Sequence, residues 1–383
     1  MNKQNPFVIT GKIPDEFFCD RKEETRFLTR QITDRATNIL LMSERRLGKT
    51  GLIDHCYRQA ELSEQFYTFY FDILHTTSLK ELVFEFGKEV YTRLMPQGQK
   101  AIRSLAQTIR SLNPKFSIDP YNGMPTFGLE IGSITQPEYT LEEILNWLEH
   151  ADKPCIVAID EFQSIAKYPE PNVEAFLRGK FQHLQNCHFI FSGSQQHLLA
   201  EMFQSHKRPF FSSTTNLQLK PIEQDSYYAF AAHWFETCNR QLDSDTFATL
   251  YRHFNGNTYC IQRLLHDAFD ATPEGMPCQL TILRDCLQNI LENNSYSYRE
   301  MLSRMSTKQK AVLTAIALEW KVAGITSAAF IRKHKLESAS MVQTAMRVLT
   351  KDEWVSVRER TYSVSDPFLA EWLRMQYGGG ITL

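Results

Sequence analysis

The chain has 383 residues, a length that at about 100–200 residues per domain predicts two or three domains. Hydrophobic residues make up 43% and charged residues 22% of the sequence, which is typical of a globular protein and excludes a wholly disordered or fibrous chain. The net charge of −2 excludes a uniformly basic nucleic-acid binder, although it leaves room for a local basic patch.

Signals for membranes, secretion and metal clusters are missing from the sequence. The longest apolar runs, such as 155–159, have the length of a strand and fall short of the roughly 18 residues of a membrane helix. The N-terminus leads into no apolar signal-peptide core. The eight cysteines form no C-x-x-C pair, so neither a zinc ribbon nor a disulfide framework is indicated. We therefore expect a cytoplasmic protein with no membrane partner.

Short apolar runs separated by helical patterns dominate the first 220 residues. The first run, 38–42, leads through segment 43–50 into a helix that extends to about Glu61. The other predicted strands are 66–72, 155–159, 188–194 and 217–219, and a helix is predicted over 79–94. Strands that alternate with helices favour a mostly parallel sheet with helices on both faces.

A different pattern interrupts this alternation. Segments 116–118 and 127–131 alternate apolar and polar residues around Pro120, Asn122, Gly123 and Pro125, which predicts a β-hairpin insertion over about 112–135. Immediately after it, Thr140 with Glu143 three residues later predicts a capping box that opens a helix to about Glu149.

After Pro221 the pattern is helical only. The predicted helices of this part are 224–238, 244–254, 259–269 and 280–291. From Ser306 onward, helices over 307–319, 327–334 and 340–350 precede two strands, 354–358 and 362–364. A last helix to about Met375 begins with an Asp366 N-cap and Pro367. Three helices followed by a two-stranded wing predict a winged helix, and the chain is divided into segments 1–220, 221–295 and 296–383.

Segment 43–50 matches the phosphate-loop pattern G-x-x-x-x-G-K-[ST] except at its first position, where Ser43 replaces glycine. In such a loop, backbone N–H groups at a helix N-terminus surround phosphate oxygens, the lysine neutralises the β/γ charge and the hydroxyl binds Mg²⁺. A serine at position 43 is strained if the loop needs a positive φ there. The alternative is an ordinary strand–turn–helix without nucleotide. The candidate nucleotide-binding residues are Ser43, Arg45, Arg46, Leu47, Gly48, Lys49, Thr50 and Gly51.

The predicted strand 155–159 ends in two acids, Asp160 and Glu161. We expect Asp160, with Thr50, to hold Mg²⁺ and Glu161 to act as general base on the attacking water, with Lys49 also catalytic. Solvated acids at a strand end are the alternative. At the end of the next strand, Ser192 or Ser194 is expected to hydrogen-bond the γ-phosphate or the water, although small polar residues end many strands.

With these motifs the chain resembles the AAA-like ATPases of the archaeal type, which are related to the signal-transduction NTPases. The resemblance covers nearly the whole chain and rests on segments 5–11 and 17–24, Arg45-Arg46-Leu47-Gly48, 160–163 and 192–195. It implies an α/β P-loop NTPase core with a parallel sheet, an α-helical lid and a winged-helix domain. It also implies ATP and Mg²⁺ as cofactors, with the N-terminal segments covering the adenine. Ser43 and Asn257-Thr258-Tyr259 depart from the family's pattern.

The C-terminal segment carries a local charge excess. Residues 301–383 contain twelve Lys and Arg against seven Asp and Glu, a charge of +5, so the rest of the chain carries −7. This asymmetry favours a DNA-facing module, although winged helices also pack on their own chain or on a partner protein. The expected contacts are Lys333, His334, Lys335, Arg347, Lys351, Arg358 and Arg360. On the third helix, Met341, Ala345, Val348 and Leu349 are expected to pack inward.

The sequence therefore predicts a Mg²⁺-dependent ATPase that acts as a nucleotide-driven switch. Three roles remain open: an ATP-gated factor that binds duplex DNA, a signalling or defence switch that engages a protein partner or a second copy, and a scaffold with weak hydrolysis. Lys207-Arg208 and Arg263 are either groups that reach the phosphates or ordinary surface cations.

Overall fold

A computed structural model describes residues 5–94, 109–112, 115–118, 125–128, 130–358 and 360–378, together with Gly380 and Leu383. The chain divides into two compact units. One is Lys12–Lys220, and the other joins the residues up to Gly11 with Pro221–Leu383. The N-terminal residues thus group with the second unit, whereas the sequence placed them with the first.

The first unit contains a five-stranded sheet in which all neighbouring strands are parallel. Its strands in chain order are β1 (Ile39–Ser43), β2 (Tyr67–Asp72), β5 (Cys155–Asp160), β6 (Cys187–Gly193) and β7 (Thr215–Leu219). The strands β3 (Lys115–Ile118) and β4 (Pro125–Gly128) form a separate hairpin, which lies between β2 and β5 in the chain. Across the sheet the order is β2-β5-β6-β1-β7. The predicted parallel sheet is confirmed, and its carboxyl ends lie along one edge, where open α/β sheets bind ligands.

Period-two alternation divides the strand residues between two cores. Leu40, Val157 and Phe189 pack on one face, while Leu41 and Ile156 pack on the other. The first face is covered by α4 (Leu79–Leu94), α5 (Pro137–Glu149), α6 (Val173–Phe181) and α7 (Gln196–Gln204), and the second by α1 (Lys22–Thr33), α2 (Lys49–Arg58) and α3 (Ala60–Ser63). Strands buried on both faces explain the continuous apolar runs of β1, β5 and β6.

Several predicted boundaries in this unit are wrong. Helix α5 begins at Pro137, which occupies the first turn, so Thr140 lies inside the helix and its hydroxyl donates to Gln136 O at 3.1 Å. The predicted capping box is therefore absent, because a proline at the first helical position starts the helix earlier. The hairpin pairs antiparallel, but Ile131, predicted as the last residue of its second strand, instead begins the 3₁₀ turn Ile131–Ser133. Pro120, Asn122 and Gly123 lie outside the described residues.

In the second unit, the helices are α8 (Gln224–Thr237), α9 (Ser244–His253), α10 (Thr258–Ala271) and α11 (Leu280–Ser303). Phe7 is fully buried, with its ring 5.7 Å from those of Phe235 and Phe269. His266 Nδ1 is 2.7 Å from Phe7 O, and Asn5 Nδ2 donates to His266 O at 2.9 Å. These contacts are the physical reason why the N-terminal segment groups with this unit.

The winged helix consists of α12 (Thr307–Glu319), α13 (Ala328–Lys333) and α14 (Ala339–Lys351), the strands β8 (Val322–Ala323), β9 (Val355–Arg358) and β10 (Thr361–Val364), and α15 (Pro367–Tyr377). The order of the strands in its sheet is β8-β10-β9. The sequence did not predict β8, because its two residues are too few to form a recognisable strand pattern. Helix α11 was predicted to end at Leu291 but continues to Ser303. There Ser295 accepts a hydrogen bond from the Trp372 indole of α15 at 3.2 Å, so tertiary contacts extend the helix across position 295.

Candidate functional site

The loop between β1 and α2 contains the predicted phosphate-binding residues. Ser43 ends β1 in extended conformation, buried, with its hydroxyl donating to Glu44 O at 2.7 Å. The left-handed positions are instead Arg46, with φ 66°, and Gly48, with φ 92°. A serine at position 43 therefore carries no backbone strain. A Cβ on Gly48 would meet nothing within 4 Å, so glycine is needed there for its conformation and not for space.

Gly48 is the N-cap of α2, and Lys49 is its first residue. The first N–H groups of a helix have no partner within the helix, and together with the helix dipole they form a site that favours anions. Gly51 lies in the same first turn, where a Cβ would be 3.6 Å from Ile13 Cδ1 and 3.9 Å from Phe18 Cε2. Glu44, Arg45 and Leu47 complete the loop, and of these Leu47 is buried in the core.

Arg21 anchors this loop, a role that sequence reasoning missed. Its side chain is buried and donates to Leu47 O at 3.2 Å, to Lys220 O at 2.7 Å and to Glu24 at 2.8 Å. A buried guanidinium is costly unless it is fully paired. Arg21 therefore links the loop to the segment that follows β7. No local sequence pattern around position 21 predicts this contact.

The carboxylate of Asp160, at the end of β5, accepts four hydrogen bonds. Oδ1 accepts from the Ser192 hydroxyl at 2.6 Å and from the Glu161 amide at 3.0 Å. Oδ2 accepts from the Thr50 hydroxyl at 3.2 Å and the Tyr70 hydroxyl at 2.8 Å. The sequence-predicted Thr50, Asp160 and Ser192 are thus brought together, whereas Tyr70 was not predicted. Ser192 points at Asp160, so it orients the acid rather than facing open space.

Tyr70 had a signal that sequence reasoning overlooked. In β2 the apolar Phe69 and Phe71 alternate with Thr68, Tyr70 and Asp72, which places the polar residues on one face of the strand. In the sheet, β2 is the direct neighbour of β5, with Asp72 opposite Asp160. Knowledge of the strand order was needed to turn this alternation into a site.

Glu161 follows Asp160 in left-handed conformation, with φ 54°. Its Oε2 accepts from the side-chain amide of Gln163 at 2.5 Å, from the Ser194 hydroxyl at 2.9 Å and from the backbone N–H of Ser194 at 3.3 Å. Its Oε1 lies 3.8 Å from Lys49 Nζ, and both side chains are largely buried. Ser194 thereby orients the predicted base. A non-glycine residue held at positive φ by this many contacts is typical of a functional site.

Burial and neighbouring acids shift the pKa values of two side chains at this edge of the sheet. Burial raises the pKa of Tyr70, and the Asp160 carboxylate raises it further, so the phenol stays protonated and acts as a donor. Burial also raises the pKa of Asp72, opposed by a hydrogen bond from the Leu74 amide and reinforced by Asp160 and Glu161. The charge on Asp72 is thus destabilised by its two acidic neighbours, which a cation would relieve.

The oxygens at this edge fit a hard cation. Mg²⁺ prefers oxygen ligands, commonly one or two protein groups with phosphate and water completing the shell. Thr50 and Asp160 offer a hydroxyl and a carboxylate 3.2 Å apart. Within the described part of the chain, no group of three or more His, Cys, Asp or Glu residues forms a metal cluster. A cation here would therefore rely on phosphate and water for its other ligands.

The winged helix presents part of the predicted basic surface. Arg347 and Lys351 of α14 are exposed. The side chain of His334 is instead only 7% exposed and lies 2.7 Å from Glu319, whose carboxylate also pairs with Lys333 at 2.6 Å. These two predicted contacts are thus engaged within the domain.

On the inner face of α14, Met341, Ala345 and Leu349 are buried as predicted. The prediction for Val348 is wrong, since 37% of it is exposed. Val342 and Met346 face the core as well, which rotates the buried stripe away from position 348.

Comparison with known families gives two matches. Residues 18–264 match the model of an ATPase domain predominantly from Archaea. The chain belongs to this ATPase family. Residues 296–375 match a probable winged helix domain. The expected family and the C-terminal winged helix are both confirmed, and the ATPase match begins in the first unit and extends to residue 264 of the second.

Solved structures share the fold of this ATPase at low identity. The Walker-type ATPase PABY2304 of Pyrococcus abyssi is 18% identical with a TM-score of 0.65, over 96% of this chain and 99% of that one. The ORC2 protein of Aeropyrum pernix, in ADPNP–ADP complexes, is 13% identical with a TM-score of 0.59, over 97% of each chain. ORC1 of Aeropyrum pernix, in complex with DNA, is 14% identical with a TM-score of 0.54, over 98% of this chain and 97% of that one.

No curated protein matches the ATPase significantly. In the part of the chain that the structure describes, no helix has the length and apolar character needed to cross a membrane.

Proposed function

We propose that the protein is a Mg²⁺-dependent ATPase that acts as a nucleotide-driven switch. The observation that carries the proposal is the double link between the loop and the acidic strand end. Thr50 donates to Asp160 at 3.2 Å, and Lys49 lies 3.8 Å from Glu161. An anion-binding helix start, a lysine, a hydroxyl and two acids are the parts that phosphoryl transfer from ATP to water requires.

The proposal assigns a role to each group. The amides that start α2, with Lys49, bind the phosphates, and the loop residues Ser43, Arg45, Arg46, Leu47, Gly48 and Gly51 shape this cradle. Thr50 and Asp160 hold Mg²⁺, which neutralises phosphate charge. Glu161 takes the proton of the water whose oxygen attacks the γ-phosphorus, as ADP leaves with the electrons of the broken P–O bond.

Ser192 and Ser194 serve as positioning residues in this scheme. Each donates its hydroxyl to one acid, Ser192 to Asp160 and Ser194 to Glu161. They thereby hold the two carboxylates in fixed directions before nucleotide arrives, which lowers the reorganisation needed for reaction.

Binding and turnover measured side by side test the proposal. We expect the purified chain to bind ATP, to bind it more tightly with Mg²⁺ than with EDTA, and to release phosphate. Glu161→Gln, which removes the proposed base, should bind ATP but release little phosphate. Its matched control is Glu61→Gln, which removes one carboxylate from an exposed residue of α3 outside the site and should leave turnover unchanged. Tight ATP binding without phosphate release would favour the scaffold role instead.

We further propose that the winged helix binds duplex DNA and that nucleotide state controls this binding. Support comes from the +5 charge of residues 301–383 and from the exposed Arg347 and Lys351 on α14, the third helix of the module. ORC1 of Aeropyrum pernix, solved in complex with DNA, shares the fold. A protein partner is the second candidate, because Val348 and Val357 are apolar and exposed on the same module.

Salt dependence distinguishes the two partners. Each phosphate that the protein no longer neutralises lowers the slope of log affinity against log salt by about 0.9. Reversing Arg358 and Arg360 is expected to lower the slope measured by fluorescence anisotropy with duplex DNA. Reversing the exposed Arg30 and Arg35 of the ATPase domain changes the net charge equally and should leave the slope unchanged. Absence of DNA binding at low salt, with or without ATP, would favour the protein partner.

A further inference from the structure

We infer that Tyr70 is a positioning residue of the magnesium site, whose hydroxyl aims the Asp160 carboxylate at the cation and so sets the Mg²⁺ concentration that nucleotide binding requires. The inference rests on the proposed function, because it concerns the same acid and the same cation. It goes further by assigning a role to a side chain from β2, which lies outside both the loop and the acidic strand.

The first argument is the arrangement of three oxygens. Thr50 Oγ1, Tyr70 Oη and Asp160 Oδ2 form a triangle with sides of 3.3, 2.8 and 3.2 Å. Neighbouring ligand oxygens in an octahedral Mg²⁺ shell, at about 2.1 Å from the metal, are separated by about 3.0 Å. The two candidate ligands, Thr50 Oγ1 and Asp160 Oδ2, are therefore spaced as neighbouring ligands of one cation, and Tyr70 Oη lies within hydrogen-bond distance of both.

The second argument is which donor remains when the cation binds. Asp160 Oδ2 accepts only from Thr50 and Tyr70 among the hydrogen bonds of the described residues. Thr50 is expected to turn its oxygen towards Mg²⁺, which weakens its hold on Oδ2. Tyr70 is then the donor that keeps Oδ2 in place, while Ser192 and the Glu161 amide hold Oδ1.

The third argument is that the Tyr70 hydroxyl is preorganised. The backbone of Tyr70 is fixed in β2, where it lies opposite Ala158 of the neighbouring strand β5. The Tyr70 hydroxyl is 2.8 Å from Asp160 Oδ2 and donates to it. Partners in the outer shell that orient metal ligands change metal affinity about 10- to 100-fold when they are removed.

Tyr70→Phe tests the inference because it removes one oxygen and keeps the ring. Tyr67→Phe is the matched control: Tyr67 lies in the same strand, and its hydroxyl donates to Asp152 at 3.0 Å, away from Asp160. The affinity for a fluorescent ATP analogue is measured in EDTA and across a Mg²⁺ titration. We expect both variants to match the wild type in EDTA, and the Mg²⁺ midpoint to rise about tenfold in Tyr70→Phe alone.

Each other outcome has a definite meaning. A Mg²⁺ midpoint in Tyr70→Phe that equals that of the wild type, or falls below it, overturns the inference, and the lower value would show that the hydroxyl competes with the cation. If Tyr70→Phe loses the same nucleotide affinity in EDTA as in Mg²⁺, Tyr70 has a purely structural role, and this result also overturns the inference. If nucleotide binding by the wild type does not respond to Mg²⁺, the proposed function itself is wrong, and the inference is rejected with it.

Discussion

Gly193 offers a quantitative test of how tightly the site is packed. It lies at the end of β6, between the two serines that orient Asp160 and Glu161. A Cβ at this position would lie 2.1 Å from Gln163 Oε1 and 3.1 Å from Leu199 Cδ1. Gln163 is only 1% exposed, and its amide donates to Glu161 at 2.5 Å. Gly193→Ala is therefore expected to force Gln163 to move and to release Glu161, the proposed base.

The magnitude follows from two contributions. Forcing an extra methyl group into a packed site costs about 1–3 kcal/mol, and losing a hydrogen bond to a carboxylate costs about 1.5–3 kcal/mol. Because the two effects share one side chain, they are not strictly additive. We expect the free energy of unfolding of the ATPase unit to fall by about 2–5 kcal/mol. Turnover should fall as well, since Glu161 loses one of the groups that orient it.

Urea denaturation followed by circular dichroism, together with phosphate release, measures both effects. The control is Gly179→Ala in α6, where a Cβ would meet nothing within 4 Å. A glycine-to-alanine change inside a helix is expected to stabilise by about 0.5–1 kcal/mol. If Gly193→Ala shows the same denaturation midpoint as Gly179→Ala and full turnover, Gln163 moves without cost and the reasoning fails.

Four further predictions concern the site and the winged helix. Lys49→Ala removes the charge that faces the phosphates and should weaken ATP binding about 10- to 100-fold without unfolding the chain; calorimetric titration showing unchanged affinity in a folded variant would contradict it. Glu161→Gln keeps the size of the side chain but removes the base, so ATP should bind and persist while phosphate release falls about 100-fold or more. In contrast, Asp160→Ala should weaken binding only when Mg²⁺ is present, and a variant of either acid with wild-type turnover would remove that acid from the mechanism. Arg358→Glu with Arg360→Glu should reduce the salt dependence of DNA affinity by about 0.9 in slope for each phosphate that the variant no longer neutralises, and identical slopes for variant and wild type would place the DNA surface elsewhere.

Local sequence patterns determined most of the core. The apolar runs at β1, β5 and β6 are buried on both faces, and continuous apolar runs of strand length are what such burial requires. Gly48-Lys49 marks the start of α2, because a left-handed glycine followed by a helix is a property of adjacent residues. These elements were predictable because their cause lies within a few residues of chain.

Other features depend on contacts that no local pattern contains. Helix α11 extends to Ser303, beyond its predicted end, where packing against α15 stabilises residues of ordinary helix propensity. The strand β8 has two residues and exists because β10 pairs with it. The exposure of Val348 follows from the rotation of α14 in its domain, which the buried Val342 and Met346 reveal.

The sequence by itself determined which residues we propose to carry the chemistry: a lysine and a hydroxyl at a helix start, and two acids at a strand end. Only the tertiary structure decided how they are held. The strand order β2-β5-β6-β1-β7 places Tyr70, Ser192 and Thr50 around Asp160, although these residues are far apart in sequence. Since these hydrogen bonds join β5 to β2, to β6 and to the start of α2, they depend on the order and register of the sheet, which are set by packing over the whole domain.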